Sequence, residues 1–178
     1  MSELWIGPKY EGGFFGRRLL ILAEAHPREA GSFRVGRGLS AELVPGYCKE
    51  EVKHRLFTDL CRLVLGRAAG RAACVAFLEG VALANLPAQT TGPRGGSSDA
   101  DWQSMESDMA RWLAQLAPQA VLLLGDQLAQ KVTPALRASA AAPELMCVAS
   151  HPAAPAFVFR AQLEQTAPLR TVSARPER

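Results

Sequence analysis

The sequence predicts a single-domain, three-layer α/β/α protein built on a central four-stranded, mostly parallel sheet, and three observations lead there. The chain has 178 residues, 48% of them hydrophobic, enough for one domain with a full core and little left for a second. Four short apolar runs punctuate it, each too short for a helix and none alternating, as strands covered on both faces read. Helical patterns lie between those runs, and strands alternating with helices imply a parallel sheet with right-handed crossovers. The domain is expected to span residues 1–170, with the polar stretch 171–178 as a disordered tail.

In chain order, the strands are expected at Leu19–Ala23, Val81–Ala84, Ala120–Leu124 and Met146–Ala149. A helix is expected over Lys49–Leu65, where Val52, Leu56, Leu60 and Val64 recur every four residues and Gly66 supplies a stop. Asp101–Leu116 repeats the pattern through Met105, Met109, Trp112 and Leu116, and Asp126–Leu136 follows its strand after a single glycine. Gly31–Tyr47 and Pro87–Ala100 read as long loops. Loops of that length in a compact domain are functional or disordered. Both begin past the C-terminal end of a strand, where open α/β sheets bind ligands.

Composition narrows the partners without choosing among them. The formal charge is +3, and of the 20 basic residues only Lys9, Lys49, Lys53 and Lys131 are lysines. Guanidinium suits phosphate better than ammonium does, so DNA is permitted; a GC-rich coding sequence accounts for the same arginines equally well. No run approaches the roughly 18 apolar residues that span a bilayer, and Met1–Trp5 lacks the order of a secretory signal. The expectation is a cytoplasmic monomer with no membrane partner. Cys48, Cys61, Cys74 and Cys147 form no C-x-x-C pair. They are read as structural thiols, with neither metal nor cofactor expected.

Three strand ends carry unusual polar residues: Ala23-Glu24-Ala25-His26-Pro27 after the first strand, Asn85-Leu86-Pro87 after the second, and Ser150-His151-Pro152-Ala153 after the last. A carboxylate, a carboxamide and an imidazole thus converge on one rim of the sheet. Each has a plainer reading: Glu24 as a solvated carboxylate, Asn85 as the start of a turn, His151-Pro152 as a rigid turn with a surface imidazole.

The run Leu19–Pro27 resembles the first motif of the uracil-DNA glycosylase superfamily, written G-Q-D-P-Y in one family and G-E-A-P-G in another, and is similar to the L-L-I-L-G-E-S-H-Y run of further relatives. Val81–Asn85 resembles the strand whose terminal Asn reads the base, Ala120–Asp126 the strand ending in Leu-Gly, and Ser150–Ala153 the second motif, H-P-S. The resemblance spans Leu19 to Pro155 in order and implies a uracil-DNA glycosylase-like fold. The activity implied is that of a monofunctional DNA glycosylase, which flips a base out of DNA and hydrolyses its N-glycosidic bond.

On that resemblance, Glu24 stabilises the oxocarbenium-like sugar and orients water, while neutral His151 donates to the O2 of the departing base. Asn85 reads the Watson–Crick edge of the flipped base. His26 stands where the family usually has Pro and is a candidate for catalysis, phosphate contact or neither. Arg94, among glycines, is a candidate phosphate contact or an ordinary solvated Arg. Ser150 and Pro152 would lie along the DNA, and Phe157 would be a wedge into the gap or simply core.

The departures from the pattern also matter. Ala25 replaces the catalytic Asp of G-Q-D-P-Y, which shifts the burden to Glu24, and Ala153 replaces the Ser of H-P-S. Pro27 replaces an aromatic ring that blocks C5 of the pyrimidine. The substrates expected are uracil or a C5-modified pyrimidine such as a modified phage cytosine, which would make the protein antiviral, with hypoxanthine a further possibility. No Lys stands near the motifs to start a lyase step. The alternatives are a catalytically silent nucleic-acid-binding module of the same fold and a small-molecule hydrolase, which no G-x-S-x-G elbow supports.

Overall fold

The computed structural model describes residues 4–24, 39–53, 55–66, 68–86 and 99–149. It is an α/β protein whose sheet has five strands: β1 (Leu4–Ile6), β2 (Leu19–Glu24), β3 (Val81–Leu86), β4 (Ala120–Leu124) and β5 (Leu145–Ala149). Their order is β1-β3-β2-β4-β5. β3, β2, β4 and β5 run parallel, and β1 pairs antiparallel with β3. The expected count of four is therefore corrected to five. Leu4-Trp5-Ile6 is three residues long and carries no period, so only its ladder partner and the Trp5 Nε1–H bond to the Leu78 carbonyl, 3.0 Å, mark it as a strand.

Among the described residues, five α-helices flank the sheet: α1 (Leu39–Cys48), α2 (Arg55–Leu65), α3 (Arg71–Glu79), α4 (Asp99–Leu116) and α5 (Asp126–Ala138). Strand residues alternate between two buried clusters, as the pleat requires. Leu19, Ile21, Val81, Leu83 and Leu122 pack with α1, α2 and α3. Leu20, Leu22, Ala82, Ala84, Val121 and Leu123 pack with α4 and α5 on the other face. Burying an aliphatic side chain of this size stabilises the fold by about 1.5–3 kcal/mol. That is why strands with two covered faces read as unbroken apolar runs.

Each helix buries one stripe. α2 does so through Phe57, Leu60, Cys61 and Val64, and α4 through Met109, Trp112, Leu113 and Leu116, both at i, i+3, i+4, i+7. The long helix expected over Lys49–Leu65 is shorter: Glu50 takes a left-handed conformation, φ 66°, and the amides of Glu51 and Val52 turn back to the Gly46 carbonyl. Val52 thus belongs to the connection before α2. Part of the expected Gly31–Tyr47 loop is α1, which buries Val44 and Tyr47 in spite of Pro45. α3 has no counterpart in the sequence reading. The Arg71 guanidinium closes the end of α1, donating to the Tyr47 carbonyl and lying 4.6 Å from the centre of the Tyr47 ring.

Candidate functional site

All four parallel strands point the same way, so their C-terminal ends form one rim. One register row crosses it: Asn85 beside Ala23, Ala23 beside Leu124, Leu124 beside Ala149. Neighbouring strands lie about 4.8 Å apart, which places Asn85 one spacing from Ala23 and the exit of β5 about 10 Å from β2 on the other side. Glu24 is the last residue of β2, paired with Leu86. β3 runs two residues beyond Ala84, so Asn85 sits within a paired strand and not at the start of a turn.

Position 24 is in phase with Leu20 and Leu22, whereas position 85 is in phase with Val81 and Leu83, which belong to the opposite face. A ligand that meets both positions must sit above the strand ends, across the thickness of the sheet. From β2 the chain passes toward β3 on one side, with α1, α2 and α3 on one face; from β4 it passes to β5 on the other side, with α5 on the opposite face. In open α/β sheets, ligands bind outside the carboxyl ends of two adjacent strands related by such a reversal. Here the two strands are β2 and β4, and Glu24 ends the first.

Gly125 ends the second. It joins β4 to α5 by one residue at φ 127° and ψ 131°, a region open in practice only to glycine. Its amide donates to the Ala149 carbonyl at 3.0 Å, and its carbonyl accepts from Ala129 at 3.0 Å, so it ties β4, β5 and α5 together at the rim. The turn also places the N-terminus of α5, with its partial positive charge, at this rim. In the sequence this glycine marks a strand end and part of the Leu-Gly resemblance; the signal for a tie between strands and helix is its place between a buried run and a helix without any loop.

Cys147, two residues below the end of β5, is buried, which pushes its thiol up to about 11. Among the described residues no group of three or more His, Cys, Asp or Glu could hold a metal ion, and no helix is long and apolar enough to cross a membrane. Of the expected site residues, the structure brings the backbones of Glu24 and Asn85 together. Ala25, His26, Pro27, Arg94, Ser150, His151, Pro152, Phe157 and the tail 171–178 lie outside the described residues. Ser150 and His151 directly follow Ala149 in the sequence, and Ala149 stands in the rim row.

Comparison of the chain with protein-family models, with curated proteins and with solved structures finds no match.

Proposed function

We propose that the protein is a monofunctional DNA glycosylase that works at the C-terminal rim of its sheet, on uracil or a C5-modified pyrimidine. The observation that carries this reading is the adjacency of Glu24 and Asn85 at the ends of β2 and β3, beside the β2/β4 reversal. A carboxylate there suits an oxocarbenium-like sugar, and a carboxamide one strand away suits the edge of a flipped base. His151, two residues past the end of β5 in the sequence, is assigned to the leaving base. Water is the nucleophile, and the products are an abasic site and a free base. His26 is the next candidate for positioning that water, Arg94 for holding a phosphate, and Phe157 for filling the stack. Pro27 leaves C5 unblocked, which extends the substrates from uracil to modified cytosines and the role from repair to defence against phage DNA.

The test is direct. The protein is incubated with DNAs carrying uracil, hypoxanthine, 5-hydroxymethylcytosine or its glucosylated form, and the strands are then treated with alkali. Breakage at one modified base, with release of that base, is the expected result. Binding of all four DNAs without breakage would favour the silent binding module.

A further inference from the structure

Two cysteines lie together beneath the sheet and take no part in the chemistry proposed above. Cys61 is on α2 and Cys74 on α3, and both are buried in the cluster that packs under β2 and β3. The Cys61 Sγ–H points to the Cys74 carbonyl oxygen at 3.9 Å, so the two residues meet across the α2/α3 contact. Burial pushes the Cys61 thiol far up, and the proximity of Cys74 and Cys48 pushes it further. The buried Cys61 thiol is therefore a poor nucleophile while the helices are closed. Parting of α2 and α3 exposes both side chains to solvent beside each other.

We propose that Cys61 and Cys74 form an oxidation-sensitive clasp that closes as a disulfide between α2 and α3. Both helices belong to the crossover that carries the chain from β2 to β3, and so from Glu24 to Asn85. Closure needs the sulfurs to move from contact to a bond of about 2 Å. The oxidant is a low-molecular-weight disulfide. The thiolate of one cysteine attacks it, forming a mixed disulfide and expelling one small thiol; the second cysteine attacks the mixed disulfide and expels the other. Two protein thiols are oxidised, one small disulfide is reduced to two thiols, and no other electron acceptor is required. Of the other two cysteines, Cys48 is half-buried at the end of α1 and Cys147 is on β5.

The experiment uses the intact chain and needs no variant. It is incubated with oxidised glutathione, in buffer and in urea too dilute to unfold it, then alkylated and mapped by mass spectrometry without reduction. The expected product is a Cys61–Cys74 disulfide with two glutathione thiols released per chain, formed faster in urea, with a melting midpoint raised until reductant is added. A lasting glutathione adduct on Cys61 or Cys74, a Cys48–Cys61 link, or two unreacted thiols in both conditions would overturn the proposal. The result is independent of glycosylase activity.

Discussion

The two ends of the parallel strands are built differently. At the N-terminal end the polar groups are spent on one another. Arg17, almost fully buried, pairs with Glu144 at 2.8 Å; the Arg18 Nε–H reaches the Ala117 carbonyl at 3.0 Å; and the amides of Gln119 and Ala120 both donate to the Arg18 carbonyl. The Tyr10 hydroxyl donates to the Leu116 carbonyl at 3.4 Å. Residues 117–119 join α4 to β4 there, and 139–144 join α5 to β5. At the C-terminal end stand Glu24, the last residue of β2, Asn85 near the end of β3, and Gly125, which joins β4 to α5. These bonds tie the segment entering β2 to those entering β4 and β5, whereas the proposed function assigns Glu24 and Asn85 to the ligand.

Substitutions at the two ends should therefore separate activity from stability. The largest effect belongs to Glu24→Gln, which should lower single-turnover base excision by about a hundred- to ten-thousand-fold while leaving the urea midpoint nearly unchanged. His151→Ala should act in the same direction on every substrate, because the anion of the leaving base is common to all. Full activity in Glu24→Gln would move the water-positioning role to another group, with His26 examined first.

Gly125→Ala comes next, since it belongs to both kinds. A side chain at φ 127° should cost about 1–3 kcal/mol by urea titration and also reduce excision, because the turn orders the rim. Arg17→Ala should cost a similar amount, about 1–3 kcal/mol, by deleting the buried partner of Glu144. Excision per folded molecule should stay at the wild-type level. Equal loss of activity in the two variants would erase the distinction between the ends.

The effect nearest to wild type at neutral pH is one that appears only in alkali. Cys147 is raised from 9.0 to about 11 by burial, so its folded state favours the neutral thiol. The stability this group contributes is complete below pH 9.0 and is lost as pH rises toward 11, because the unfolded chain ionises first. Cys61 and Tyr10 are shifted the same way by burial and steepen the loss. Melting midpoints measured from neutral to alkaline pH should fall over that window, and Cys147→Ala should fall less steeply.

How far the sequence could be read follows the same division. β2, β3 and β4 were legible because both of their faces are covered, leaving runs such as Ala120–Leu124 wholly apolar; β5, at the edge with Val148 exposed, was legible from its apolar composition alone. α4 and α5 were legible because each buries a single stripe. β1 was hidden, since three residues on an edge have no period to show. α1 was hidden because Pro45 and Gly46 look like breakers, although Val44 and Tyr47 still reach the core. The helix expected from Lys49 began too early because Val52 fits a four-residue spacing, while the backbone at Glu50 turns the other way. At the site, Glu24 and Asn85 were legible as polar residues ending apolar runs. Their opposite phase and the Gly125 turn were not, because both depend on strand order and register, which no local pattern encodes.

The central claim is that ligand is received at the C-terminal rim, and amide hydrogen exchange with and without abasic-site DNA tests it most directly. The account predicts slowed exchange at residues 22–27, 84–88 and 148–152, with the N-terminal end around Tyr10–Arg18 and Ala117–Ala120 unchanged. Protection concentrated at that N-terminal end, with Glu24 and Asn85 unaffected, would contradict it.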